Sequence, residues 1–331
     1  MFINLKIVFV GEKFKLKYAR KILKSPRKDK CLIAQGGGVK AFVTLLGYLS
    51  VFEQHKYCPW KLLAGTSISS LVFSFYLSGT LKDENYVQGL LTAVPRYVRH
   101  DTKTYGKAVY SSLFKTENVT PVFDLDSLVD DSFESGLINT KRILKSRAEF
   151  YLTLTQVNDA EGVLVDVKDF LKRNSEDDFR ELLKASMNFP IFSTSQRYVQ
   201  GVGYVDGGIT YPLPFQAAVY RLQPFDRMLF LLSDSFEFVR KPLDFISKFL
   251  LKNVYGADSR LFRKLLKVDK VHNEAQSFVK TMVNFGISSA FYASPNSEVG
   301  LLTTDAEKLL REFYISRIAA NEFLRQINYL R

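Results

Sequence analysis

Cys31–Phe42, "CLIAQGGGVKAF", is the stretch on which the reading of the fold turns. "CLIA" is short, densely apolar and followed, after Gln35, by three glycines, the pattern of a buried parallel strand that ends in a tight turn. From Val39 to His55, "VKAFVTLLGYLSVFEQH" keeps apolar residues at helical spacing, including Phe42, Leu45, Leu46, Leu49 and Phe52. Strand, glycine turn and helix together leave unshielded backbone N–H groups at a helix start, where a negative group is stabilised. Gly36, Gly38 and Ala41 match the G-x-G-x-x-A spacing of a dinucleotide-binding turn, and the same geometry also serves as an oxyanion hole. The loop alone does not choose between them.

The next segment repeats the unit. In "CPWKLLAGTSISSLVFSFYLSGT", Cys58–Thr80, a strand is predicted over Trp60–Ala64, a turn at Gly65–Ser67, and a helix through Leu77 with Gly79 as its stop. Two successive strand–helix units predict an α/β fold, with a mainly parallel sheet and helices packed on its faces. Further along, "AEFYLTLTQVNDAEGVLVDV" predicts two strands around a turn at Asn158–Gly162, and "SEDDFRELLKASM" a helix with acids in its first turn. "QGVGYVDGGITYPLP" ends in a tight glycine loop, and "RMLFLLS" is a further buried strand. "LDFISKFLLK", "RLFRKLLKV", "QSFVKTMVNF" and "DAEKLLREFYISRIAANEFLRQI" predict amphipathic helices, so that residues from about 236 to 331 form a helical C-terminal region. The segment Thr80–Lys145, with its acidic "FDLDSLVDDSFESG", is expected to be a helical excursion over the core. No internal repeat, Pro/Ser-rich linker or low-complexity tract interrupts the chain, which predicts one domain over residues 1–331.

Of 331 residues 47% are hydrophobic, enough for a sizeable core, and most of the 28 Phe and 17 Tyr belong in it. A net charge of +12 favours anionic partners, whether nucleic acid, anionic lipid or an acidic protein surface, without choosing among them. Part of the excess is local: "KFKLKYARKILKSPRKDK", Lys13–Lys30, has Asp29 as its one acid and makes residues 1–30 a basic N-terminal extension. The first ten residues, "MFINLKIVFV", read as a strand, since no basic stretch precedes them and no small-residue cleavage site follows. No apolar run approaches the roughly 18 residues of a membrane span, so any membrane contact is expected to be peripheral. Cys31 and Cys58 form no disulfide framework, which favours a reducing, cytoplasmic setting.

Three loops carry the chemistry. "AGTSIS" sets Ser67 in a sharp turn between strand and helix, a nucleophile elbow of the G-x-S-x-G type with Ser69 at the final small position; a helix N-cap is the commoner use of such a serine. Gly65 keeps the strand thin where the helix backbone passes. Of the three histidines, His55, His100 and His272, none lies in a glycine-bearing turn, although the members of a Ser-His-Asp triad need not be close in sequence. Asp206 in "YVDGG" is the more economical base, because it follows an apolar strand and Gly207 and Gly208 leave room for a second loop; a simple turn hydrogen bond is the commoner role of such an aspartate. A hydride-transfer fold explains the first loop only, and it would want an acid at the end of the second strand, where "LLAGTS" stands.

With these residues in place the chain resembles the patatin-like phospholipases, through "GGGVKAFVTLLGYLSVFEQ", "WKLLAGTSISSLVFSFYLSG", "LKASMNFPIF" and "YVDGGITYPLPFQAAV", and more weakly through "YASPNSEVGLLTTDAEKLLREFYISRIAANEFL". The resemblance implies a three-layer α/β/α fold, an oxyanion hole at Gly36, Gly37 and Gly38, a basic loop position at Lys40, a nucleophile at Ser67 and a general base at Asp206. It implies a phospholipase A-type lipid acyl hydrolase that needs no cofactor and no metal, with phospholipid or another acyl-ester lipid as substrate and an anionic membrane surface as partner. Three positions depart from the family pattern: Ala41 and Ser69 stand where glycine is usual, and Tyr211 near a usual asparagine.

The expected chemistry is a two-step acyl transfer in which Asp206 accepts the Ser67 proton, the glycine loop holds the oxyanion, and water releases the acyl group. A free aspartate, with a pKa of about 4, is a poor base at neutral pH unless desolvation raises it. Lys40 could hold a lipid phosphate or only flank the helix start. "SSLVFSFYL" and "VNFGISSAFY", both taken as helices, are candidates to line an acyl channel, and basic amphipathic "LDFISKFLLK" a candidate to dock on anionic lipid. Two rival readings stand beside this one: hydrolysis of small esters or thioesters on the same dyad, and a basic membrane- or nucleic-acid-binding protein without turnover. The second lacks a zinc pattern, a basic domain and an aromatic–basic platform, so no nucleic acid is expected.

Overall fold

A computed structural model describes residues 30–99, 122–190, 192–193, 196–216, 228–284, 288–292, 297–327 and 329. The N-terminal strand and nearly all of the basic extension expected over 1–30 lie outside these residues, as does His100.

β1 (Lys30–Ala34) leads through the glycine loop into α1 (Gly38–Gln54), and β2 (Trp60–Gly65) through the serine turn into α2 (Ile68–Ser78). α3 (Glu84–Tyr97), α4 (Leu125–Glu134) and α5 (Thr140–Lys145) follow, then β3 (Glu149–Gln156), β4 (Gly162–Asp166), α6 (Val167–Arg173) and α7 (Glu176–Met187). The chain continues as β5 (Arg197–Val199), β6 (Val202–Asp206), a 3-10 turn (Gly207–Ile209), β7 (Met228–Leu232), α8 (Phe245–Tyr255), α9 (Arg260–Leu265), α10 (Val268–Asn284), β8 (Ser289–Tyr292) and α11 (Ala306–Gln326).

Eight strands form one sheet in the order β5-β6-β3-β2-β1-β7-β8, with β4 paired to β3 off this path. The five strands from β3 to β8 in that row are mutually parallel, while β4, β5 and β6 make the antiparallel part. This is the mainly parallel α/β sheet that the strand–helix units predict.

Alternation along the central strands explains why both faces are covered. Leu32 and Ala34 of β1, with Leu229 and Leu231 of β7, enter a core shared with α1, α2 and α11. Cys31 and Ile33, with Met228, Phe230 and Leu232, face the opposite core, closed by Val279 and Val283 of α10. Near-continuous apolar strands are the consequence: every residue of β1 and of β7 is buried. α11 is part of the first core rather than an appendage. Its Phe323 packs on Phe291 (ring centroids 4.9 Å apart) and on Phe52 (5.9 Å), and α1 leaves room for it at Gly47, where a side chain would strike Ser316 and the Phe313 carbonyl.

One expectation is corrected. "VNFGISSAFY" is not one helix: α10 ends at Asn284 and Ser289–Tyr292 is a strand pairing with β7, because four residues are too few for hydrophobic period to tell strand from helix. The acidic segment of α4 is tied to its neighbours by ion pairs. Asp126 and Asp130 pair with Lys184 at 3.3 and 3.2 Å, and Arg197 reaches Asp126 at 2.7 Å, which ties α4 to α7 and β5.

Candidate active site

Strand register brings the three loops to one place. Gly36–Gly38 follow β1, and Ser67 follows the neighbouring β2, both at carboxyl ends of parallel strands, beside the point where the chain order reverses between β2 and β7. β6 enters from the opposite direction. Its Asp206 pairs with Leu154 of β3, two residues beyond the Leu152 that pairs with Gly65, so the carboxylate arrives level with the serine.

Ser67 Oγ donates to Asp206 Oδ2 at 2.6 Å. The serine is held in an unusual backbone conformation, φ 58° and ψ −133°, before α2 turns away. Such strain is what lifts a nucleophile out of a strand–helix turn. Close passage makes the elbow possible: a side chain at Gly65 would meet the Ser69 and Ser70 backbone at 3.0 Å. Ser69 is fully buried and its hydroxyl donates to the Gln35 carbonyl, so the serine at this glycine position fastens the elbow to the end of β1.

Asp206 is 4% exposed. Its Oδ1 accepts from Gly208 N at 2.6 Å, its own N–H donates to Asn188 O at 2.9 Å, and its carbonyl accepts from Thr155 Oγ1 at 2.9 Å. Gly207 leaves no space for a side chain against Thr153. Burial raises the Asp206 carboxyl to about 6, against the opposing pull of the Ser67 and Gly208 hydrogen bonds and of the Arg240 charge. A base in that range is ionised at neutral pH yet keeps affinity for a proton. Tyr211 binds the turn through its main chain, donating to Gly207 O at 2.7 Å and accepting from Thr66 Oγ1 at 2.7 Å, while its ring covers Gly162.

Gly36, Gly37 and Gly38 line the same cavity as Ser67 and Asp206. Among the described residues their N–H groups have no acceptor. Gly38 has φ +54°, and a side chain there would strike the Leu301 carbonyl, which itself accepts from Val39 N at 3.0 Å. Ala41, buried on α1, lies against Gly37 and away from the cavity wall. Lys40 pairs with Asp234 at 3.3 Å and is not on that wall.

A buried network that the motifs did not announce supports the loop from behind. Gln35 Oε1 accepts from Ser233 N at 3.0 Å, which turns its amide nitrogen to the His272 ring, 3.4 Å from Nδ1 and 3.1 Å from Nε2. Ser233 Oγ donates to Gly36 O at 2.7 Å. Desolvation holds the His272 imidazole below its usual pKa, and Asp234 is kept below the usual carboxylate range chiefly by its hydrogen bond to His272 and the Lys40 charge, against its own burial. His272 makes no hydrogen bond to Ser67, and His55 is half-buried at the end of α1. The local signal at "QGGG" and "LSDS" is four residues each, too little to foretell a contact across about 200 residues.

The cavity, about 400 Å³, is walled by apolar side chains: Phe42 of α1, Val94 and Tyr97 of α3, Leu125 and Leu128 of α4, Met187 at the end of α7, and Phe189 and Phe192 after it. "SSLVFSFYL" contributes nothing to it, and neither do the described residues of "VNFGISSAFY"; both serve the cores, so the channel expectation is corrected to these other helices. Among the described residues no cluster of three or more His, Cys, Asp or Glu could hold a metal, and no helix is long and apolar enough to cross a membrane.

A search of curated proteins finds no match. The family model for patatin-like phospholipase matches residues 32–219, more than half of the chain and including the glycine loop, the serine elbow and Asp206. By that match this chain belongs to the patatin-like phospholipase family, whose members are lipid acyl hydrolases.

Proposed function

We propose that the protein is a serine ester hydrolase of phospholipase A type, cleaving carboxylic ester bonds of membrane phospholipids with Ser67 as nucleophile and Asp206 as general base. The observation that carries this reading is the 2.6 Å hydrogen bond from Ser67 to a buried carboxylate, beside three glycine N–H groups that have no acceptor among the described residues. Ser67 Oγ attacks the ester carbonyl as its proton passes to Asp206; the oxyanion is met by the glycine N–H groups; and the Asp206 proton then leaves with the alcohol. Water, deprotonated by Asp206, attacks the acyl-enzyme, releases the fatty acid and restores the serine.

The apolar walls support a long acyl chain over a small ester, and turnover that rises with chain length separates the two. Peripheral docking on an anionic membrane is part of the proposal. Asp244 and Ser247 line the cavity, and on the helix they begin, α8, Phe245 (81% exposed), Ile246 and Phe249 are exposed and Lys248 and Lys252 supply positive charge. The test is Ser67→Ala and Asp206→Asn, each checked for folding, against a labelled phospholipid and a soluble nitrophenyl ester. Both should lose turnover by at least about 1000-fold; parental rates in either would refute the dyad.

A further inference from the structure

Arg240 lies between β7 and α8, and α10 clamps its main chain at two points. Its N–H donates to Asn273 Oδ1 at 2.9 Å, and its carbonyl accepts from Asn273 Nδ2 at 3.0 Å. The side chain lines the cavity that holds Ser67 and Asp206. Among the described residues the guanidinium makes no hydrogen bond and no ion pair; Asp206, Asp234 and Asp269 attract it only from further off. Two of these carboxylates already hold nearer partners, Asp206 with Ser67 and Gly208, Asp234 with Lys40 and His272.

Arg240 is half-buried, and a guanidinium with five donors and no acceptor is costly to cover with a ligand that does not pair it. Its planar fork matches two oxygens of a phosphate better than it matches a single point charge. Lys40, the basic position of the glycine loop, is committed to Asp234 away from the cavity. Lys241 lines the cavity as well but is exposed, so it adds positive potential at the edge rather than a desolvated contact. In a glycerophospholipid the phosphodiester stands only a few bonds from the carboxylic esters. A substrate that presents an ester carbonyl to Ser67 therefore brings its phosphate to the same stretch of wall.

We propose that Arg240 is the binding residue for the phosphodiester of the lipid substrate and sets the preference for phospholipids over neutral acylglycerols. This rests on the lipid-ester reading of the Ser67 site, and Asn273 is the positioning residue that holds Arg240 in place. Arg240 also acts on Asp206 through its charge, so the experiment must separate recognition from tuning of the base.

The comparison is a phosphatidylcholine and a diacylglycerol with the same acyl chains, hydrolysed in mixed micelles by the parent, Arg240→Gln and Arg240→Lys. The kcat/KM ratio of phosphatidylcholine to diacylglycerol should fall about 10- to 100-fold in Arg240→Gln, mainly through KM, and only partly in Arg240→Lys. An unchanged ratio overturns the proposal; so does an equal loss on both lipids accompanied by a higher-pH acid limb, which would confine Arg240 to tuning Asp206. Thermal shift gives a second readout without turnover. Glycero-3-phosphocholine should raise the melting temperature of Ser67→Ala but not of Ser67→Ala/Arg240→Gln. Protection by inorganic phosphate as strong as by this phosphodiester would make the site one for free anions and overturn the lipid assignment. Should the parent hydrolyse neither lipid while the Arg240-dependent protection persists, the catalytic reading fails and the phosphodiester site stands.

Discussion

Asp206→Asn should stabilise the fold at neutral pH while it removes turnover, and the size of the gain follows from the burial of the carboxylate. The group is 4% exposed and its pKa stands at about 6 against a reference of 3.8. A folded-state pKa raised above the unfolded one means that the native state binds its proton more tightly. The associated stability is fully present below about pH 3.8 and is lost as pH rises through about 6. Two pKa units correspond to about 3 kcal/mol, most of it given up between pH 4 and 7. Asparagine is neutral throughout that range and keeps the hydrogen bonds: Oδ1 still accepts from Gly208 N, and Nδ2 donates to Ser67 Oγ where Oδ2 now accepts. Urea unfolding of parent and variant at half-unit steps from pH 4 to 8 measures the difference. The variant should draw ahead of the parent by about 2 to 3 kcal/mol across the series, with m unchanged. A flat difference, or a parent that gains on the variant as pH rises, would refute the claim that this carboxylate is held ionised against its environment.

The same carboxyl governs the rate: kcat/KM on a soluble ester should rise with unit slope through about pH 6 as Asp206 ionises, and a limb near pH 4 would place the base in a solvated environment. Ser69→Gly removes the hydroxyl bond to the Gln35 carbonyl and places glycine inside α2, so urea unfolding should show a loss of about 1–2 kcal/mol with the elbow still formed. Gly38→Ala forces a side chain onto the Leu301 carbonyl at φ +54°, and kcat should fall at least about tenfold with KM little changed if the loop holds the oxyanion. Phe245→Asp with Phe249→Asp should reduce sedimentation with phosphatidylserine vesicles far more than it reduces hydrolysis of a soluble ester; equal vesicle binding would remove α8 as the docking surface.

Much of the fold is legible where local chemistry repeats. "CLIA" and "WKLLA" are short runs that lead into glycine-bearing turns, each followed by helical spacing, and both become parallel strands leading into helices at the expected residues. The glycine stop at Gly79 is a left-handed cap at φ +72°, and the acids of "SEDD" form a capping box between Ser175 and Asp178. Less of the site is legible. β8 is four residues long and reads as part of a helix, and the acyl-lining side chains of α3 and α4 lie in segments that carry no motif.

Three loops of the right composition in the right order are a property of the sequence by itself, because a tight turn, a strained elbow and a glycine pair each depend on backbone preferences within five or six residues. Distance between them is not. Ser67 and Asp206 stand 139 residues apart, and only the register of β6 on β3, and of β3 on β2, sets them 2.6 Å from each other. Lys40 shows the same division. Its place in the loop is local, but its partner Asp234 is 194 residues distant, and whether that partner is carboxylate or lipid phosphate is decided by which strand lies beside β1. Side-chain pairing over such separations depends on the packing of the whole sheet, and no window of sequence contains it.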